Sequence, residues 1–180
     1  MPTLRPSQAL DLPAITAIYR HHVLHGTGTF EVEPPSLQEM SARRMDVLGK
    51  NLPWLVAEGE NGDILGYAYA NWFKPRPAFR FSAEDSIYVA EHARGQGIGR
   101  LLLAALCKEC EAAGIRKLIA VIGDSGNTPS VELHRKAGFS HAGTLTSVGW
   151  KFERWLDVVM MEKPLGTGDN TAPATLQQLN

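Results

Sequence analysis

Apolar and polar positions alternate in a way that divides the chain into short elements. Leu4 opens a short strand, and Asp11 stands ahead of Pro13 where a helix N-cap would. Ile15, Ile18, Tyr19 and Val23 then recur at helical spacing. Gly26-Thr27-Gly28 ends that helix and begins a loop carrying Phe30 and Glu31. Ser36 followed by Glu39 has the form of a capping box, which predicts a second helix to about Leu48. Trp54–Glu58 reads as a strand, Asn61-Gly62 as a hairpin turn and residues 64–71 as the returning strand. The stiff, basic Lys74-Pro75-Arg76-Pro77 loop leads to another strand over residues 85–89.

The second half changes character. A glycine-rich turn, Arg94-Gly95-Gln96-Gly97-Ile98-Gly99, precedes a helical stretch over residues 100–113. An apolar strand (118–122), a short helix (130–136) and two further strands (139–148 and 155–161) follow. After Pro164 the composition turns polar, which predicts a folded domain over residues 1–164 and a disordered tail over 165–180. The pattern is a mixed α/β (α+β) domain, with a largely antiparallel first half and a strand–turn–helix–strand unit in the second.

The 180 residues suit one domain, and 18 basic residues nearly balance 19 acidic ones. That balance gives no footprint for nucleic acid or an anionic membrane. No apolar run reaches the length of a membrane span, and Met1 to Leu10 lacks the basic and apolar regions of a signal peptide. The 2 cysteines, Cys107 and Cys110, sit close together within a predicted helix. They are a poor framework for a disulfide-stapled domain, so a reduced, cytoplasmic setting is expected.

A strand, a glycine turn and a helix start together make an anion site. Backbone N–H groups there are free to donate, and glycines let a phosphate approach. Ile98-Gly99 follows Gly97 where a Walker A loop needs Lys-Ser/Thr. Arg100 stands where a dinucleotide fingerprint needs glycine or alanine. Both of those phosphate motifs are excluded, leaving a different phosphate ligand or a plain capped turn.

Residues 94–99 resemble the acyl-CoA pyrophosphate loop of the GNAT acetyltransferases, which reads Arg/Gln, two residues, Gly, one residue, Gly/Ala. Ser86-Ile87-Tyr88-Val89 resembles the family strand along the pantetheine arm, and Asn127-Thr128-Pro129-Ser130 with Leu133-His134-Arg135-Lys136-Ala137-Gly138-Phe139 resembles its second CoA-contacting segment. Trp54-Leu55-Val56-Ala57-Glu58, Ala68-Tyr69-Ala70, Trp72-Phe73-Lys74, Glu84 ahead of Tyr88, and Gly149-Trp150-Lys151-Phe152 with Trp155-Leu156-Asp157 are similar to the phosphinothricin and methionine sulfone/sulfoximine acetyltransferase branch. The resemblance spans about residues 3–165. It implies a GNAT fold, with a mixed twisted sheet of about seven strands flanked by about four helices. It also implies a homodimer, acetyl-CoA as acetyl donor and cofactor contacts from Ser86, Ile87, Tyr88, Val89, Arg94, Gly95, Gln96, Gly97, Ile98, Gly99, Arg100, Asn127, Ser130 and His134.

Acetyl transfer to an amine requires loss of a proton before attack and polarisation of the thioester carbonyl. Glu84, at the entry of the strand leading to the CoA loop, is expected to be the base, directly or through a water. Asp85 must point to the other face by the strand period and is the weaker base, although its charge near the acceptor side makes it a substrate-contact candidate. His134 falls where many GNAT enzymes carry a tyrosine that protonates the CoA thiolate. It is either that acid or a helix histidine that packs near CoA. Lys74, Arg76 and Arg80, with Pro75, form a basic loop suited to gripping a carboxylate. Phe30, Glu31 and Trp72 complete the expected acceptor pocket, the first two on the resemblance alone.

The CxxC spacing of Cys107 and Cys110 lies mid-helix with no second pair, which fits packing residues. His21, His22 and His25 lack a carboxylate or cysteine partner at recognised spacing, and no metal is expected. The expected function is therefore acetyl-CoA-dependent N-acetylation of a small amino-acid-like amine. The alternatives are acetyl transfer to a different amine (a drug, polyamine or peptide N-terminus) or a non-catalytic CoA-binding module.

Overall fold

The computed structural model describes residues 2–173. Its strands are β1 (Thr3–Pro6), β2 (Trp54–Glu58), β3 (Ile64–Trp72), β4 (Ser82–Val89), β5 (Lys117–Gly123), β6 (Ser140–Lys151) and β7 (Arg154–Pro164). Its helices are α1 (Leu12–His25), α2 (Leu37–Gly49), α3 (Ile98–Ala112) and α4 (Thr128–Lys136). The strands form one sheet in the order β1-β2-β3-β4-β5-β7-β6. The β4–β5 pairing is parallel and the others are antiparallel. This is the mixed seven-stranded sheet with four helices that the sequence predicted.

Local signals account for most boundaries. The Ser36–Glu39 capping box forms as expected, with Ser36 Oγ accepting from the Glu39 amide and the Glu39 carboxylate accepting from the Ser36 amide. Asp11 stands at the N-cap of α1 but does not cap it with its side chain. Its carboxylate instead takes both guanidinium nitrogens of Arg5 at 2.8 and 2.9 Å and accepts from the Gln8 amide. A bidentate, charge-assisted pair outcompetes a single cap hydrogen bond. Gly62 takes a φ of +82° in the β2–β3 turn, as Asn61-Gly62 predicted.

Side chains alternate across the sheet. Trp54, Tyr67, Tyr69 and Tyr88 stack on one face, where Tyr19 of α1 meets the Tyr88 ring edge-on at 4.9 Å. The core continues through Leu102, Leu103 and Leu106 of α3 and Leu118 of β5, all fully buried. At burial worth about 25 cal/mol per Å² of apolar surface, this two-sided core dominates the stability.

The chain does not leave the body at Pro164. Leu165 is buried, and Arg116 donates to the Gly168 carbonyl and to Thr171. The predicted tail is thus held at its start, and residues 174–180 lie outside the described residues. No helix among the described residues is long and apolar enough to cross a membrane.

Candidate active site

The site begins where two strands part. β4 and β5 pair in parallel from Ser82↔Lys117 to Asp85↔Ala120, and there the register ends. Ser86–Val89 stays with β3, while Val121–Gly123 stays with β7. A cleft of about 1810 Å³ opens between them.

All the residues expected to hold the cofactor line this cleft: Ser86 to Val89 of β4, Arg94 to Arg100 at the glycine turn, and Asn127, Ser130 and His134 of α4 and its cap. Gly95 and Gly97 have φ of +76° and +80°, and a Cβ on either would meet nothing within 4 Å. Glycine is needed there for conformation, and the same positions leave the backbone open to a ligand. The N–H groups of Ile98, Gly99 and Arg100 open α3 without intrahelical acceptors. With Arg94 and Arg100 beside them, they fit a pyrophosphate. Asn127 caps α4, its Oδ1 accepting from the Ser130 amide at 3.4 Å.

Glu84 and Asp85 both line the cleft, on opposite faces of β4. Glu84 is half-buried on the Tyr69–Tyr88 face. Its carboxylate has no hydrogen bond or ion pair recorded among the described residues. Burial pushes its pKa above the ordinary carboxylate value, the Asp85 charge adds to that, and Lys74 opposes it.

Asp85 does not join Glu84 on the acceptor side, which corrects its expected substrate contact. It is buried, with Oδ2 2.9 Å from Nε2 of His134. His134 Nδ1–H donates to the Ser130 carbonyl at 2.7 Å, and the ring meets Phe139 edge-on. Burial works against a charged His134, but the Asp85 hydrogen bond and charge, with the Ser130 carbonyl, outweigh it and raise the pKa.

Phe30 and Glu31 line the cleft as expected; Trp72, Lys74, Pro75, Arg76 and Arg80 do not. The β3–β4 connection folds on itself through a short turn at Pro77–Phe79, with Phe73 against Phe79 and Arg80 donating to the Pro77 carbonyl. Two prolines restrict that path, and of the three basic residues only the Lys74 charge is felt at Glu84.

Several contacts in the site escaped the sequence reading. Arg43 grips Glu31 through two hydrogen bonds of 2.7 and 3.2 Å. Tyr19 lines the cleft, its hydroxyl 2.9 Å from Thr29 Oγ1 and its pKa pushed up to about 12, chiefly by burial. His22, with its pKa lowered mainly by burial, donates from Nε2 to the Val89 carbonyl at 2.9 Å. Buried Lys151 donates from Nζ to the Gly26 and Thr29 carbonyls at 2.9 and 2.8 Å, fixing the loop that forms one wall. Phe30 lies directly on Gly149 of β6, where a Cβ would overlap its ring. Helical spacing marked Tyr19, and the cluster of histidines marked His22, but nothing local announced their partners. Among the described residues, no group of three or more His, Cys, Asp or Glu side chains is arranged to hold a metal ion.

A parting pair of parallel strands with an open glycine turn at a helix start defines the acyl-CoA cleft of an acetyltransferase. The chain belongs to the Acetyltransferase (GNAT) family, whose signature matches residues 16–139. It is 55% identical over 171 residues to a phosphinothricin N-acetyltransferase of Alcaligenes faecalis, covering 95% of this chain and 86% of that one. It is 38% identical over 161 residues to an L-methionine sulfoximine/L-methionine sulfone acetyltransferase of Pseudomonas aeruginosa, covering 89% and 92%. A GNAT-superfamily phosphinothricin acetyltransferase from Sinorhizobium meliloti, solved in complex with AcCoA, superposes with a TM-score of 0.94 at 46% identity, over 96% of this chain and 93% of that one. The protein is an acetyl-CoA-dependent N-acetyltransferase.

Proposed function

We propose that this enzyme acetylates the amino group of a small amino-acid-like acceptor of the phosphinothricin, methionine sulfone or methionine sulfoximine type, by direct attack on the thioester. The observation that carries this reading is the Glu84 carboxylate. It is half-buried, without a hydrogen-bond partner recorded among the described residues, and set on the cleft wall where β4 leaves β5. Burial raises its pKa above the ordinary carboxylate value, which makes it a stronger proton acceptor than an exposed carboxylate. Acetyl-CoA supplies the activated acetyl group. Ser86 to Val89 and the glycine turn would hold it, with the pyrophosphate at the start of α3. Phe30, Tyr19 and Tyr69 wall the acceptor end, and the Arg43–Glu31 pair leaves Glu84 as its free carboxylate. The names of the relatives support the acceptor class.

The enzyme acts as a homodimer in this reading. Leu145, Val148, Trp150, Phe152 and Trp155 are exposed together on the β6–β7 hairpin, an apolar surface of the kind a partner covers. Free, buried Cys107 and Cys110 accord with a reduced, cytoplasmic setting. The near-neutral charge balance favours a small-molecule amine over nucleic acid or membrane.

A second acceptor class, a polyamine or peptide N-terminus, gains support from the basic loop lying outside the cleft of its own chain. Acetyl-CoA-dependent thiol release against methionine sulfone, methionine sulfoximine, phosphinothricin, spermidine and short peptides separates the two. Turnover confined to the amino-acid analogues supports the proposal; turnover only with spermidine or peptides overturns it.

A further inference from the structure

The buried Asp85–His134 pair gives one wall of the cleft a function beyond contact. Ser130 contributes a carbonyl, which only accepts, so Nδ1 of His134 carries a proton. At Nε2 the partner is a carboxylate, 2.9 Å away, with both side chains almost completely buried. Both ring nitrogens are thus engaged inside the protein. Asp85 Oδ1 has no hydrogen-bond partner among the described residues, so His134 is the group that compensates this buried carboxylate. The position is specific: Asp85↔Ala120 is the last paired position before β4 and β5 separate, and His134 lies on the helix that Asn127 caps at the cleft.

We propose that Asp85 is a positioning residue. Through His134 it ties α4 to β4 at the point where the strands part, and this strut sets how tightly acetyl-CoA is held rather than supplying a proton to the departing thiolate. The inference rests on the acetyl-transfer reading of the same cleft and assigns His134 a role within it. The groups facing the pair are the Cys107 and Cys110 thiols of α3, which are pushed up chiefly by burial and further by Asp85, Lys163 of β7, which donates to the Ala137 carbonyl, the Phe139 ring, and Glu84 on the other face of β4. With both thiols held neutral, none of these groups is placed to take over the Asp85 contact.

The test begins with nitrogen-15 NMR of the histidine rings in the wild-type protein, without acceptor. His134 is expected to keep both nitrogens protonated to a higher pH than an ordinary imidazole, because the Asp85 carboxylate and the Ser130 carbonyl favour the charged ring. In Asp85→Asn the ring is expected to lose its proton at lower pH than in the wild type, because burial still disfavours the charged ring and the Asp85 charge no longer opposes it. Calorimetric Kd for acetyl-CoA is expected to rise about tenfold in Asp85→Asn and in His134→Gln, and no further in the double variant, with the loss falling on Kd more than on kcat. A wild-type ring that titrates at or below the ordinary 6.5 overturns the proposal. So does a large loss of kcat with unchanged Kd and a displaced basic limb of the pH–rate profile, which would make His134 the acid. Should Asp85→Asn not fold, the Kd and kcat of His134→Gln together with the wild-type ring spectrum still decide. Neither the spectrum nor the Kd needs turnover, so failure of the acceptor reading, seen as absent thiol release, is distinguishable from failure of the strut.

Discussion

Glu84 and Asp85 are consecutive residues of one strand whose carboxylates serve opposite faces of the sheet: Glu84 opens on the cleft among tyrosines, and Asp85 is closed onto His134. The two-residue strand period makes this division unavoidable once β4 is packed on both sides. It keeps an unpaired, raised carboxylate for chemistry and commits its neighbour to structure.

Glu84→Gln tests the first half of that division. Loss of roughly 10²- to 10⁴-fold in kcat is expected with acetyl-CoA affinity retained, read by thiol release and calorimetry. The stability effect has a fixed sign. A carboxyl group whose pKa is raised on folding stabilises below its ordinary value of 4.5 and loses that contribution as pH rises through the folded value. The variant is therefore expected to melt at the wild-type temperature or higher at neutral pH.

His134 carries a second pH dependence. Its pKa is raised on folding, so its contribution is fully present below the ordinary 6.5 and is lost as pH climbs through the folded value. Thermal unfolding followed from neutral to alkaline pH is expected to show this decline in the wild type. In Asp85→Asn, where the supporting charge is gone, the decline is expected to shift to lower pH.

Gly149→Ala is expected to cost about 1–3 kcal/mol and to raise the acceptor KM, because the new methyl overlaps the Phe30 ring. Gly143→Ala, in the same strand with nothing within 4 Å of a Cβ, is the control and is expected to be near neutral. Thermal melting and steady-state kinetics of both variants check the pair.

Lys151→Met removes the ammonium shared by the Gly26 and Thr29 carbonyls. The stranded carbonyls are expected to cost about 1–3 kcal/mol. Hydrogen exchange is expected to quicken over residues 26–31 while that over the buried positions of α3, such as Leu102, Leu103 and Leu106, is unchanged.

Replacing both Trp150 and Trp155 with Ser is expected to convert the proposed dimer to a monomer in light scattering while leaving the helical circular dichroism unchanged. The two rings lie 5.3 Å apart on the exposed hairpin, away from the core.

What could be read in the sequence was what neighbouring residues decide among themselves. The Ser36–Glu39 box, the Asn61-Gly62 turn and the Gly95 and Gly97 positions each act over a few residues, so their outcome stands in local order. The alternation of β4 likewise placed Glu84 and Asp85 on different faces before any packing was known. Only the tertiary structure decided what those faces meet. Asp85 and His134 are 49 residues apart, and Lys151 and Thr29 are 122 apart. Such pairs exist because strand order brings β4 beside β5 and helix packing sets α4 over their parting, and no local signal carries that information. The basic loop shows the converse. Lys74, Arg76 and Arg80 have the chemistry to hold a carboxylate, but on the turn at Pro77–Phe79 none of them lines the cleft. Residue type announces what a side chain can bind, and the path of the chain decides where it does so.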